Sequence, residues 1–416
     1  PALGVTEPGA IAFAVAKARS FTKGDIKKVN VAMNSGMYKN AFTCGIPNSN
    51  EVGNVFAAAL GVVAGNADKG LESLADVTPE DNVKAQKMID QGKITVELSG
   101  ITSRIFIEAT VETEEDKAIV TIRDSHTNIT KIIVNDKVEL ETEDEKKTEE
   151  DGGEEESHSI HKYTLQQLYD YVTTVDIEEI RFINEAYKVN LELFHEGLEN
   201  PRTTFARQLL AINKGKEVSD DEQKTASLMC NAAIEARVIG LDKPAMSITG
   251  SGAHGIIATM PLYAAYKVNG YTEEQLLRAT ALSYLVCMYI KEYSGRLSAF
   301  CGCAIAAGSG MACALVYLRG GTVEMMAHTL NNMASSITGM ICDGGNQGCT
   351  MKGVAAVDAA YKSVEFAMNG IYISEVHGIN GNTPEETMRN MGLIASPGMV
   401  GTEKTIVEIF EDKLKK

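Results

Sequence analysis

Four short runs rich in β-branched residues decide the fold class: Lys93-Ile-Thr-Val-Glu-Leu98, Arg104-Ile-Phe-Ile-Glu-Ala-Thr-Val111, Ala118-Ile-Val-Thr-Ile-Arg123 and Lys131-Ile-Ile-Val134. Apolar and polar residues alternate along these runs, which is the two-residue period of a strand with one buried face. Residues 93–140 are therefore predicted to form an antiparallel sheet with one solvated face.

Helical periodicity dominates the chain after Thr164. The segments that fit helices are 164–173, 176–196, 202–212, 220–240, 253–268, 272–292, 299–318, 321–338, 353–369 and 383–394. Ahead of the sheet we expect a helix that begins at Thr6-Glu7-Pro8 with Thr6 as its N-cap, a strand over 28–33 and a buried helix over 52–63. The pattern predicts an α+β fold, in which the sheet is combined with a large, Gly/Ala-rich helical domain.

Composition divides the chain into three predicted regions. Residues 1–140 form an α+β amino-terminal region, residues 141–160 an acidic loop, and residues 161–416 a mainly helical region that carries most of the cysteines. Residues 141–156 hold ten acids and two lysines. Such a tract has too little apolar surface to fold, and we expect it to be disordered.

The formal net charge of -17 argues against a nucleic acid partner, because binding to phosphates needs a basic surface. The sequence has no apolar run long enough to span a membrane and no recognisable signal peptide. Eight cysteines in 416 residues do not form a disulfide scaffold. We therefore expect no membrane partner and a location in the reducing cytoplasm.

Five of the eight cysteines lie between residues 301 and 349, and two of them bracket a glycine-rich turn, Cys342-Asp-Gly-Gly-Asn-Gln-Gly-Cys349. Zinc sites usually contain C-x2-C pairs, and this region has none. One distant and two close cysteines suit an iron–sulfur cluster held by three thiolates, with core or incidental thiols as the alternative. Cys230, Cys287 and Cys313 fit core positions, and the role of Cys44 is undecided.

A second glycine-rich segment, Gly250-Ser-Gly-Ala-His-Gly255, matches the G-x-G-x-x-G pattern but lacks the βαβ context of a dinucleotide site. A glycine-rich turn that opens a helix still offers backbone N–H groups to an anion. We expect either a substrate carboxylate bound near Ser251, Gly252 and His254, or a tight turn with only a structural role.

Five motifs together resemble the iron–sulfur L-cysteine desulfidases, which are related to the α part of bacterial iron–sulfur L-serine dehydratases. The motifs are Ala2-Leu-Gly-Val-Thr-Glu-Pro8, Ser125-His-Thr-Asn-Ile129, Gly250-Ser-Gly252 with Ala258-Thr-Met-Pro261, Arg296-Leu-Ser-Ala299 with Cys301, and Gly339-Met-Ile-Cys-Asp-Gly344 with Cys349-Thr-Met-Lys352. They occur over nearly the whole chain and in the family's order.

The resemblance implies an enzyme that converts L-cysteine to sulfide, ammonia and pyruvate with a [4Fe-4S] cluster and without pyridoxal phosphate. By position, Cys301, Cys342 and Cys349 are the implied ligands, which leaves one iron open, and Cys303 competes with Cys301 for its role. A homodimer is also expected. Dehydration of L-serine is a second hypothesis for the same motifs, and structural zinc is a fourth and weaker option, after the silent protein considered below.

One position departs from the family. The family's first motif reads Gly-Cys-Thr-Glu-Pro, whereas this chain has Val5 in place of the cysteine. Valine neither ligates metal nor carries a proton, so turnover is more in doubt than cluster binding. A catalytically silent protein that retains the fold is therefore an alternative function.

The remaining candidates follow from the chemistry of an α,β-elimination, which needs a base for the α-proton and groups that hold the substrate. His126, Glu7 and His254 are the candidate bases. Asn128 beside His126, Thr6 beside Glu7, and Arg296 are expected to contact substrate, with Arg296 as a bidentate partner of the carboxylate. Lys352 is expected to stabilise the anionic cluster or the substrate carboxylate.

Overall fold

A computed structural model describes residues 1–142, 159–295 and 297–415. The predicted acidic loop at 141–160 lies mostly outside these residues: Glu141 ends a strand, and a 3-10 turn covers Ser159–Lys162. Arg296 also lies outside the described residues. The α+β prediction is confirmed, since a helical body is joined to a six-stranded sheet.

The sheet is mixed, and its strands lie in the order β3-β2-β4-β5-β6-β7. These strands are β2 (Ile26–Asn34), β3 (Ile94–Gly100), β4 (Phe106–Thr113), β5 (Lys117–Arg123), β6 (Ile129–Val134) and β7 (Lys137–Glu141). The prediction of a wholly antiparallel sheet is wrong for one pair, because β2 runs parallel to β3. The chain between β2 and β3 forms a helical crossover, which allows parallel pairing.

The amino-terminal helix α1 (Thr6–Arg19) covers the buried face of this sheet. Alternate residues of β4, Ile107, Ala109 and Val111, are fully buried, as the period of two predicts. Nearly all of α1 is buried as well, because it packs on the sheet on one side and on helix α3 (Asn54–Ala64) on another. The predicted N-cap is wrong: Val5 occupies that position and Thr6 is the first helical residue.

The other helices match most of the predicted segments. They are α2 (Ser35–Ala41), α4 (Pro79–Asp90), α5 (Leu165–Thr174), α6 (Ile177–Ile180), α7 (Asn184–Glu199), α8 (Phe205–Ile212), α9 (Glu222–Val238), α10 (Gly252–Asn269), α11 (Glu273–Ser294), α12 (Gly308–Leu318), α13 (Val323–Ile337), α14 (Gly348–Met368), α15 (Pro384–Leu393) and α16 (Val400–Leu414). Sequence reasoning missed α2, α4 and α16. Among the described residues, no helix is both long and apolar enough to cross a membrane.

Two short strands join the amino terminus to the helical body. Strand β1 (Ala2–Leu3) pairs antiparallel with β8 (Pro244–Ala245), with Ala2 opposite Ala245. Strand β8 comes just before the glycine-rich turn that opens α10, and β1 comes just before α1. The pairing therefore places the beginnings of α1 and α10 next to each other.

A buried ion pair connects Lys39 of α2 with Glu403 of α16. Lys39 Nζ lies 2.9 Å from Glu403 Oε2, and the two side chains are 0% and 5% exposed. Lys39 Nζ also donates a hydrogen bond to the carbonyl oxygen of Ser298 at 2.9 Å. Removal of one partner leaves a buried charge without compensation, which costs much more than loss of an exposed pair.

We predict that Glu403→Ala lowers the free energy of unfolding by about 3–5 kcal/mol, as measured by urea denaturation. The exposed pair Lys404–Glu408 supplies the control, and Lys404→Ala is expected to cost less than about 1 kcal/mol. The double variant Lys39→Met/Glu403→Met is expected to recover much of the loss. Equal effects of Glu403→Ala and Lys404→Ala would contradict the assignment.

Candidate functional site

A single pair of backbone hydrogen bonds brings two distant cysteines together. Phe300 and Ile341 form an isolated antiparallel bridge. Around it, the Cys301 amide donates to the Met340 carbonyl at 3.0 Å, and the Cys342 amide donates to the Ala299 carbonyl at 2.6 Å. This bridge is why the helix predicted from 299 does not begin there: the π-helical turn Cys303–Ala307 starts after it.

Cys303 and Cys349 belong to the same group. Electrostatic interactions link Cys303 to Cys301 and Cys349, and Cys342 to the same two cysteines. Cys349 lies in the first turn of α14, which begins five residues earlier than predicted. These interactions place Cys303, which sequence reasoning ranked after Cys301, in one group with Cys301, Cys342 and Cys349. Electrostatic interactions also link Cys303 to Cys230 and Cys287, and Cys349 to Cys44.

The other four cysteines are fully buried: Cys44, Cys230, Cys287 and Cys313. Burial raises the pKa of Cys313 to about 12, as expected for a core thiol. None of the eight cysteines is in a disulfide.

Hydrogen bonds shift the pKa values of Cys301 and Cys303 in opposite directions. The Cys301 thiol donates to the Cys303 sulfur, which raises the pKa of Cys301 and, together with His254, holds the pKa of Cys303 well below its usual value. His254 forms a hydrogen bond with Cys303, and its Nδ1 lies 2.6 Å from Thr249 Oγ1. Gly302 leaves room for the imidazole ring of His254, because a Cβ atom at residue 302 would lie 2.7 Å from His254 Nε2.

Three lysines surround the four thiols. Lys352 forms an ion pair with Asp343, and although burial lowers the pKa of Lys352, Asp343 and the neighbouring thiols raise it overall. Lys39 interacts with Cys342. Lys291 donates from Nζ to the Gly295 carbonyl at 2.8 Å, and its burial lowers its pKa despite four nearby cysteines. These cations offset the negative charge that thiolates bring to a buried site.

An acid–histidine pair lies at the beginning of α1. Glu7 is 5% exposed, and its Oε1 accepts a hydrogen bond from Asn40 Nδ2 at 3.0 Å. His126 Nε2 lies 3.5 Å from the same oxygen and has no well-formed hydrogen bond. Burial would raise the pKa of Glu7, but His126, Asn40 and Arg237 lower it to about 2. Glu7 is therefore a carboxylate at neutral pH.

Asn40 connects this pair to the cysteines. While its amide nitrogen binds Glu7, its Oδ1 accepts a weak hydrogen bond from Cys342 Sγ at 3.8 Å, and its carbonyl accepts from the Gly345 amide at 3.0 Å. His126 also contacts the glycine-rich turn, since a Cβ atom at Gly250 would lie 3.7 Å from His126 Cε1. Gly250 has φ +81°, which favours glycine.

Val5 packs directly against the cysteine turn. A Cβ atom at Gly345 would lie 2.6 Å from Val5 Cγ1, and Val5 is 2% exposed. The position at which the resemblance implies a further cysteine is therefore at the site, but here it contributes only an apolar contact.

The other predicted substrate contacts are placed as follows. The Thr6 hydroxyl is buried beside Glu7 and has no hydrogen-bond partner. Ser251 is the N-cap of α10, but its side chain does not cap the helix. Asn128 donates to the Arg123 carbonyl at 3.1 Å, so its amide nitrogen is used within its own hairpin turn. Arg296 lies outside the described residues.

Sequence reasoning missed Arg237, Lys291 and Lys39, which all lie near the thiols. The available signal was weak: Arg237 interrupts an apolar run at the end of α9, and Lys291 does so in α11.

A cleft of about 480 Å³ opens beside the cysteine turn. It is lined by Asp343, Asn346 and Gln347 from the turn and by Phe42, Arg202 and Phe410 on other sides.

The donor set fits a thiolate-bound cluster better than a single ion. Among the described residues, no three His, Cys, Asp or Glu side chains are placed to hold one metal ion. Thiolates on a polynuclear cluster bind different iron atoms and do not need a common centre. The four neighbouring thiols suit such a cluster because nearby lysines balance their negative charge. Three of them, Cys303, Cys342 and Cys349, are also partly exposed.

Comparison with known proteins agrees with these motifs. The chain is 41% identical to a UPF0597 protein of Clostridium botulinum, over 100% of this chain and 96% of that protein. It is 37% identical to a UPF0597 protein of Caldanaerobacter subterraneus, over 99% and 96%, and 34% identical to one of Bacteroides fragilis, over 99% and 95%. The names of these relatives describe no activity.

The profile of the serine dehydratase alpha chain family matches residues 68–408, which include the His126 turn, the glycine-rich turn and all four convergent cysteines. By the extent of this match, the chain belongs to the serine dehydratase alpha chain family.

Proposed function

We propose that this protein is a lyase that eliminates the β-substituent of a small L-amino acid, with L-cysteine as the preferred substrate. The observation that carries the proposal is the convergence of three features on one place: four thiols, the Glu7–His126 pair and the glycine-rich beginning of α10. Membership in the serine dehydratase alpha chain family supports the reaction class.

A [4Fe-4S] cluster held by Cys342, Cys349 and either Cys301 or Cys303 would supply, when bound, a Lewis acid for the departing sulfur. Lys352, paired with Asp343, keeps a positive charge beside Cys342 and Cys349. Lys39, whose charge is balanced by Glu403 and Cys342, adds a positive charge from another element. The proposal uses no pyridoxal phosphate.

His126 is the proposed base. Its Nε2 lies 3.5 Å from the Glu7 carboxylate, which leaves Nδ1, on the side of Gly250, to accept a proton from the substrate. Glu7 stays ionised because of its low pKa, and it orients and stabilises the histidine when that histidine gains a proton. His254 is held by Thr249 and Cys303 and is better placed to position the thiols than to remove a proton.

Two alternatives rest on specific observations. Dehydration of L-serine is favoured by the family's name, since a hydroxyl group replaces the thiol in the same reaction. A silent protein is favoured by Val5, which replaces a polar side chain at the site with an apolar one. We also propose a homodimer located in the cytoplasm, where eight free thiols would persist.

We predict that anaerobic reconstitution yields about four iron atoms and four acid-labile sulfides per chain, with visible absorbance typical of a cluster. Cys342→Ser and Cys349→Ser are expected to lose most of this iron. Cys313→Ser is the matched control, because it removes a buried thiol outside the group. Comparison of Cys301→Ser with Cys303→Ser identifies the third ligand. About one zinc per chain and no sulfide would refute the cluster.

For the chemistry, we predict that His126→Gln lowers kcat for sulfide release from L-cysteine by about 10²- to 10⁴-fold without changing the iron content. His195→Gln removes an exposed histidine paired with Glu217 and is expected to have no effect. Parallel assays of pyruvate formation from L-serine decide between the two substrates: pyruvate from L-serine alone would favour dehydration.

Val5 is tested by its reversion. We predict that Val5→Cys raises kcat by roughly tenfold or more, which corresponds to at least about 1.4 kcal/mol in the barrier, while Val5→Ala does not. Both variants are assayed anaerobically with matched iron content. A parent protein already as active as Val5→Cys would show that this valine is harmless and would remove the main support for a silent protein.

A further inference from the structure

Arg237 is a buried cation that has no hydrogen-bond or ion-pair partner among the described residues. It lies in the last turn of α9 and is 4% exposed. Its guanidinium forms no hydrogen bond or ion pair with any residue in the described part of the chain, and Nε is buried and unsatisfied. An unpaired charge in a protein interior is strongly unfavourable, and buried arginines are normally paired. An anion that binds here would remove this cost.

The first residue of α10 packs directly against the guanidinium of Arg237. A Cβ atom at Gly252 would lie 2.7 Å from Arg237 Nε and 3.2 Å from its Cδ, so only glycine fits. Gly252 is the first residue of α10, an 18-residue helix whose first amides have no partner within the helix. The Ser251 side chain at the N-cap leaves these amides uncapped. Arg237 and the beginning of α10 thus offer donors to the same anion.

The position of these donors relates them to the reaction. The charge of Arg237 acts on both Glu7 and Cys303. His126 contacts Gly250 in the turn that precedes α10. An anion at Arg237 would therefore lie near both the proposed base and the thiols.

We propose that Arg237 and the beginning of α10, Ser251–His254, bind the α-carboxylate of the substrate. The assignment rests on the proposed function. A carboxylate suits a guanidinium because its two oxygens match two parallel N–H donors. A carboxylate held there would bring the rest of the substrate near His126, which contacts Gly250, and near Cys303, on which Arg237 acts. Arg237 then takes the role that the sequence suggested for Arg296.

The test uses three unreactive ligands: L-alanine, propanoate, which lacks the amine, and ethylamine, which lacks the carboxylate. Binding to the anaerobically reconstituted full chain is measured by isothermal titration calorimetry. We expect wild-type protein to bind L-alanine and propanoate but not ethylamine. Arg237→Gln should weaken both carboxylates about 10- to 100-fold, and Arg237→Lys should weaken them less.

Two further variants separate binding from folding. Gly252→Ala keeps the arginine in the chain but places a methyl group against Nε and shifts the guanidinium away from the beginning of α10, so it should also weaken L-alanine binding. Arg319→Gln removes an arginine that is paired with Glu222, and it should leave binding unchanged. Because Arg237 forms no hydrogen bond or ion pair in the described part of the chain, Arg237→Gln should keep or raise the melting temperature of the ligand-free protein, whereas loss of a structurally paired arginine would lower it.

The outcomes distinguish this inference from the proposed function. Equal binding of L-alanine to wild type and Arg237→Gln would overturn the carboxylate assignment and leave the lyase proposal standing. Failure of wild type to bind any carboxylate would also overturn the assignment. Carboxylate binding that depends on Arg237, in a protein that releases neither sulfide nor pyruvate from any amino acid, would retain the assignment and refute the lyase.

Discussion

The pairing of β1 with β8 is the constraint on which the site depends. Four residues, Ala2, Leu3, Pro244 and Ala245, hold the amino terminus against the helical body. The chain on one side continues into Glu7, and on the other side into the glycine-rich turn before α10. The pairing places the acid–histidine pair beside the glycine-rich turn, while Asn40 links the same pair to the cysteine turn. Backbone hydrogen bonds rather than side chains form this pairing. For that reason no motif in the sequence predicts it.

Charge balance is the second organising principle. The interior contains a carboxylate at Glu7, thiols that become anionic when they bind metal, and the cations Lys39, Lys291 and Arg237. Lys39 is paired with Glu403, and Lys291 donates to a backbone carbonyl. Arg237 has no such partner among the described residues, and we therefore infer that an anionic ligand binds to it. Buried charges of this kind are unfavourable for stability and are concentrated at functional sites.

Several elements were predictable because their signals are local. Alternating β-branched residues gave the positions of β3 to β6, and apolar periodicity gave most helices from α5 to α15. The errors have physical causes. Parallel pairing of β2 with β3 depends on the path of a crossover. Helix α16 is held by the Lys39–Glu403 pair, a contact between residues 364 positions apart. Helix formation at 299 gives way to the Phe300–Ile341 bridge, a contact between residues about forty positions apart that no local pattern encodes.

The sequence by itself determined the residue types of the site: the cysteine turn, the Thr-Glu-Pro start, the His126 turn and the glycine-rich segment all follow from composition and motif. It also determined the fold class, because periodicity is a property of neighbouring residues. Only the tertiary structure decided that Cys303 joins the thiols, that Val5 packs on the cysteine turn, and that Arg237 faces the beginning of α10 unpaired. Burial and pairing of a charge depend on atoms brought together by long-range packing, and a linear pattern does not contain those distances.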